Sequence, residues 1–173
     1  MVAADVRNRL QPALLDRLTD DARGERREID EHRMMSKAQL RQAVLRDLSA
    51  LFNAVQPLGN EGAGYPMISE SVLNYGLPPL SGQLASRLDV SVLERMIREA
   101  IQRYEPRILP DTLQVRALEA TSVLDTHNVI EFEIRGHLWS QPVPLEILLR
   151  TELDLEAGQV EVRDAASVLP RTR

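Results

Sequence analysis

Leu145-Glu146-Ile147-Leu148-Leu149-Arg150-Thr151-Glu152-Leu153-Asp154-Leu155-Glu156 decides the fold class. Leu145, Ile147, Leu149, Thr151, Leu153 and Leu155 alternate with Glu146, Leu148, Arg150, Glu152, Asp154 and Glu156. That period of two predicts a strand with one dry and one charged face. The run is long, and its acids are expected either to blunt a sheet edge or to face a partner. Upstream, Ile130, Phe132 and Ile134 alternate with Glu131, Glu133 and Arg135, and Leu113, Val115 and Ala117 with Gln114, Arg116 and Leu118. Downstream, Val160 and Val162 follow a turn at Ala157-Gly158. Strands that are dry on one face predict an antiparallel sheet covered on one side.

Before Pro110 the period is helical. Leu40, Val44, Leu48, Leu51, Phe52 and Val55 recur at helix spacing between a capping Ser36 and Pro57, with Arg41, Arg46 and Asp47 off that stripe. A second run, Leu93, Met96, Ile97, Ala100, Ile101 and Tyr104, begins near Val92 behind a capping box, Ser91-Val92-Leu93-Glu94. Met96 is read as core filler. Helices first and strands afterwards make the class α+β: two core helices packed on an antiparallel sheet of about four strands, with an N-terminal arm. The expected organisation is an arm and charged linker over residues 1–35, one domain over 36–165 and a tail over 166–173. Within the arm, Leu14, Leu15 and Leu18 form a small apolar anchor on a short helix from about Ala13, and Arg23 to Arg33 reads as a solvated linker.

The composition narrows the function. A chain of 173 residues with 43% apolar and 27% charged residues suits one soluble domain with a sizeable core. There is no cysteine, so disulfides, thiolate metal sites and cysteine nucleophiles are excluded. A net charge of −5 argues against a nucleic-acid partner. No run approaches the ~20 apolar residues of a membrane span, and no apolar signal segment opens the chain, so a cytoplasmic protein is expected. His32, His127 and His137 lie at no metal-ligand spacing, and the glycines from Gly59 to Gly64 lack the Gly-Lys-Ser/Thr ending of a phosphate loop. No metal, cofactor or catalytic residue is expected.

Two stretches stand apart from this pattern. Tyr104-Glu105-Pro106-Arg107 closes the second helix, because a proline forces the residue before it out of the α region. An acid and a base are thereby fixed at one corner, two residues apart. Upstream lies Ser71-Val72-Leu73-Asn74-Tyr75-Gly76-Leu77-Pro78, rich in turn residues and studded with apolar ones. Glu105 is the only acid in a distinctive setting, yet a neighbouring guanidinium stabilises the carboxylate, the wrong direction for a glycosidase proton donor.

In order and spacing, five parts of the chain resemble the TssE family. This family comprises baseplate subunits of the type VI secretion system, related to the wedge proteins of contractile phage tails that carry a "lysozyme-like" label. The parts are Leu14-Leu15-Asp16-Arg17-Leu18, Val44-Leu45-Arg46-Asp47-Leu48 before Leu51-Phe52-Asn53, Ser71 to Gly82, Glu105-Pro106-Arg107, and Leu149 to Leu155 followed by Gly158. The resemblance runs from about Leu10 to Val162. It implies a non-enzymatic protein in a multi-subunit complex, beside the other baseplate wedge subunits, the spike hub and the contractile sheath proteins. It also implies that the subunit docks and templates the first sheath ring within a membrane-docked baseplate. The family's acid-proline-base triplet maps onto Glu105, Pro106 and Arg107, which would support or form the surface that accepts the sheath. Partner binding is expected there and at Asn74, Tyr75 and Gly76.

Overall fold

The computed structural model describes residues 13–18, 35–58, 64–80, 89–118, 129–140 and 142–165. His32, His127, the Arg23–Arg33 linker and the tail from 166 lie outside the described residues. The elements run α1 (Leu14–Leu18), α2 (Lys37–Asn53), α3 (Pro66–Ser69), a 3-10 turn (Val72–Asn74), α4 (Val90–Tyr104), a second 3-10 turn (Pro110–Thr112), β1 (Gln114–Ala117), β2 (Val129–Leu138), β3 (Leu145–Asp154) and β4 (Gln159–Asp164). The four strands form one antiparallel meander in the order β1-β2-β3-β4. The α+β class is as expected.

The alternation in the strands becomes the two faces of the sheet. Val115, Phe132, Ile134, Ile147, Leu149, Leu153 and Val160 are buried on the inner face. The α2 residues Leu40, Val44, Leu48, Leu51 and Phe52 and the α4 residues Leu93, Ile97, Ala100 and Ile101 close the same core. On the outer face, Arg163 pairs across strands with Glu152 and along β4 with Glu161, and Arg135 pairs along β2 with Glu133. β3 lies between β2 and β4, so the long acidic run is a central strand and its acids blunt no edge. The edges belong to β1 and β4.

Of three local expectations, one holds and two are corrected by the geometry. Ser36 caps α2 with a full capping box, its Oγ accepting from Gln39 N at 3.2 Å and Gln39 Oε1 accepting from Ser36 N at 2.8 Å. The expected capping box at Ser91, in contrast, does not form. Asp89 caps α4 two residues earlier, accepting from Ser91 N and Ser91 Oγ, and Glu94 turns away to accept from Ala117 N. Asp outcompetes Ser here because its carboxylate also suits the positive end of the helix. Finally, α2 ends at Asn53 and Val55 is 62% exposed rather than core, because Val55 leaves the helix to make a parallel bridge with Leu77.

That bridge depends on Gly76. Leu77 N donates to Ala54 O and Gln56 N to Leu77 O, both at 2.9 Å, and the chain reaches this position only with φ 122° at Gly76. A Cβ on Gly76 would run into the Ala54 carbonyl. Gly76→Ala is therefore expected to destabilise the fold by about 2 kcal/mol or more, from the left-handed backbone and the displaced contact together. Urea denaturation of the variant beside the parent checks this, and an unchanged midpoint would contradict it.

Candidate functional site: the corner at the end of α4

α4 stops at Tyr104 because Pro106 cannot continue it, and Glu105 takes φ −122°, ψ 75° as the helix ends. The backbone then turns onto the sheet. Leu109 N donates to His137 O at 2.8 Å and Trp139 N to Arg107 O at 2.7 Å, and Ile108 bridges Leu138. This turn folds the side chain of Arg107 back on Glu105. Arg107 Nε donates to Glu105 Oε1 at 2.6 Å, Nη2 donates to Glu105 Oε2, and the main-chain N of Arg107 donates to Oε1 at 3.2 Å. The pair is bidentate, the geometry a guanidinium and a carboxylate share best.

Glu105 is only 3% exposed, so its charge must be compensated inside the fold. Arg107 does this, and a second acid holds Arg107 in turn: Nη2 also donates to Asp47 Oδ2 of α2 at 2.5 Å. The two carboxylates hold the guanidinium far above its ordinary range, so it stays charged at any pH at which the protein is folded. Asp47 meets Arg46, which reaches Asp16 of α1 at 2.6 Å. An alternating chain of charges, Asp16–Arg46–Asp47–Arg107–Glu105, thus ties the arm helix and both core helices to one corner. The outer links are more exposed and contribute little, whereas the inner pair is enclosed.

The second sequence stretch packs against the same corner. Tyr104 Oη donates to Ser71 O at 3.0 Å and to Asn74 O at 2.8 Å. The rings of Tyr75 and Tyr104 meet edge to face, with centroids 5.2 Å apart. Burial pushes the Tyr75 phenol up from its ordinary range, and the charges of Asp47 and Glu105 push the same way. Asn74 is buried, its amide accepting from Leu58 N at 3.3 Å and donating to Ser69 O at 3.2 Å. All six expected partner-binding residues are therefore brought together. Glu105, Asn74 and Gly76 are buried scaffolding, while Pro106 is exposed and Arg107 and Tyr75 are half-buried. Glu105, enclosed and with both oxygens turned to Arg107, is not presented to a ligand.

Residues 38–143 match the family model described as baseplate wedge protein gp25. The chain belongs to that family. It is the family that includes TssE, and the match contains α2 from its second residue, both sequence stretches and the whole corner. Neither the curated proteins nor the solved structures compared with the chain match it. The role that follows is structural, as a part of a baseplate wedge in a multi-subunit baseplate. Among the described residues no helix is long and apolar enough to cross a membrane.

Exposed apolar residues lie around this corner, Val72 and Leu73 within the Ser71 to Pro78 stretch and the others outside it. Met67 is 86% and Leu73 67% exposed, with Tyr65, Ile68 and Val72 beside them in sequence, on the segment that Tyr104 and Asn74 hold down. Trp139, the chain's one tryptophan, is 53% exposed and main-chain bonded to Arg107. Asp47 was visible in the sequence off the apolar stripe and within the Val44 to Leu48 run, with no sign of its tie to Arg107.

Two outcomes follow for the wedge protein. Arg107→Ala leaves Glu105 buried without its partner and is expected to cost about 3–5 kcal/mol, the range for breaking a buried pair. Arg107→Lys keeps the charge but loses the fork and should fall between that variant and the parent in a denaturant melt. The second outcome concerns pH. Tyr75, titrating in the folded state above its ordinary 10.0, contributes stability that is full below that value and lost as pH rises through the folded value. Tyr75→Phe should flatten the fall in stability above pH 10; an equal slope in both proteins would remove Tyr75 from the account.

Proposed function

We propose that the protein is the TssE-type wedge subunit of a type VI secretion baseplate and that it templates the first ring of the contractile sheath. It acts in the cytoplasm, in a baseplate docked at the membrane, beside the other wedge subunits and the spike hub. The observation that carries this reading is the corner itself. A buried acid is fixed by a bidentate arginine, and the arginine by a second helix, so the surface formed by Pro106, Arg107 and Trp139 has one shape before any partner arrives. A template needs that property, because preorganised groups lose little freedom on binding. In this reading Glu105, Asn74 and Gly76 support the docking surface and Arg107 belongs to both layers. The exposed Met67, Val72 and Leu73 suit an apolar contact with a neighbouring wedge subunit, since a soluble monomer seldom leaves such a cluster uncovered.

The test is sheath assembly in cells whose chain carries Arg107→Lys, with abundance and folding followed in parallel. Arg107→Glu would set three carboxylates together with Glu105 and Asp47 and would report unfolding rather than docking. A folded Arg107→Lys chain is expected to assemble many fewer sheaths than the parent. Normal sheath numbers would place the docking surface elsewhere.

A further inference from the structure

The outer face of the sheet, turned away from α2 and α4, carries its charges in rows. The strand register sets Glu131, Glu152 and Glu161 side by side across β2, β3 and β4. The next row on the same face is Arg116, Glu133, Arg150 and Arg163, one residue from each strand. Rows on one face are two residues apart along a strand, ~7 Å. An acidic row thus runs beside a row that holds three arginines. Like charges set directly opposite each other destabilise a sheet. Here Glu152 stands between two glutamates, and Arg150 stands opposite Arg163.

The chain's own ion pairs offset only part of this. Arg163 reaches Glu152 at 2.9 Å and Glu161 at 2.7 Å, and Arg135 holds Glu133 at 2.7 Å. Among the described residues Glu131, Arg116 and Arg150 make no ion pair, and all three are exposed. The two rows are related by a simple operation. A half-turn about an axis lying in the face, between the rows, brings the acidic row of one copy over the basic row of another. Each strand then lies over its counterpart with its direction reversed, which is the aligned packing of two sheets. Glu152 meets the Arg150 of the second copy and Glu161 its Arg163, and symmetry makes each contact twice. Glu131 comes over the Glu133 of the second copy, whose charge that copy's own Arg135 already neutralises.

We propose that two free copies of the chain associate through this outer face, acidic row on basic row, and that Arg150 and Glu152 are the pair that aligns them. The dimer is a form of the subunit on its own and requires nothing of the sheath reading. The corner, bonded to Trp139 past the end of β2, lies outside the two paired rows. A face of four short strands belongs with the weak interfaces that bury less than ~1,200 Å² in all, so the association is reversible. Its attraction is between exposed charges and therefore weakens with salt. Contact through the exposed Met67, Val72 and Leu73 would not weaken in that way, because apolar burial is not screened.

Sedimentation velocity on the full chain, over a range of concentrations, tests this. In about 0.1 M salt the mean mass is expected to climb with concentration from that of one chain toward that of two. It should return to one chain in about 1 M salt, where the screening length falls from ~10 Å to ~3 Å. Arg150→Glu and Glu152→Arg should each weaken the association at least ~10-fold, since each sets like charges opposite on both halves of the dimer. Mixed together, the two variants should associate at least as tightly as the parent, because an all-acidic pair then meets an all-basic one. The double variant, Arg150→Glu with Glu152→Arg, restores both contacts within one chain and should recover parental association. Arg150 has no ion-pair partner in its own chain, so Arg150→Glu is expected to keep the parental unfolding midpoint. A parent chain that stays single at every concentration in low salt refutes the proposal. Association that persists in high salt or in Arg150→Glu also refutes it and places the contact on another surface. A mixture of the two folded variants that fails to associate overturns the row-on-row alignment and the proposal with it.

Discussion

The burial of Glu105 constrains everything at this end of the molecule. A carboxylate removed from water must be compensated where it stands, and the compensating group is only two residues away. Glu161 and Arg163 meet in the same two-pronged way along β4, but there the pair stands exposed. At the end of α4 the buried pair is set by a sharp turn, which Pro106 supplies by ending the helix and fixing its own φ. Arg107 then has a second demand on it, because Asp47 of α2 takes the same guanidinium nitrogen. The result is a joint among α4, α2 and the end of β2 whose angles are set by hydrogen-bond direction rather than by apolar packing, which is non-directional.

Such a joint is an uneconomical way to stabilise a fold. Apolar residues of similar volume often do as well or better than a buried ion pair, and this chain has an ample apolar core to either side. What charge adds is orientation. The Tyr75–Tyr104 contact and the two hydrogen bonds from Tyr104 Oη work the same way, fixing the 71–76 segment by direction and edge-to-face geometry. A protein whose work is to present one surface to other subunits gains from that, and membership of the baseplate wedge family gives the corner a reason to be directional.

The sequence was legible where a residue's partner lies within its own element or where period alone decides. Alternation located all four strands, and the 3.6 period located both long helices, because each pattern reflects which side of one element is dry. Glu105-Pro106-Arg107 and Asn74-Tyr75-Gly76 could be singled out because prolines and glycines advertise unusual backbone. Contacts between distant residues were hidden. Asp47 lies 60 residues from Arg107, and nothing in its run from Val44 to Leu48 points to that partner. The place of β3 in the middle of the sheet was equally hidden, since its acids look the same whether the neighbour is water or a strand with matching charges. Asp89 displaced Ser91 as the cap of α4 because two good capping residues stood two apart, and local pattern could not rank them.

The partial capping of both sheet edges follows from the same placement of helices. α4 lies along β1 and can spare Glu94 and Arg98 to cap two of its outward groups, Ala117 N and Val115 O, at no loss to its apolar stripe, because both residues are off that stripe. α2 lies over β4 but ends at Asn53, where the chain leaves for the bridge to Leu77 that Gly76 makes possible. Its reach along the β4 edge stops at the one residue its last side chain can touch. An extra turn of α2 would cover more of the edge but would remove Ala54 and Gln56 from the bridge that holds the 71–77 segment against the corner. The early end of α2 that anchors the corner thus also fixes how much of the β4 edge the helix can cap.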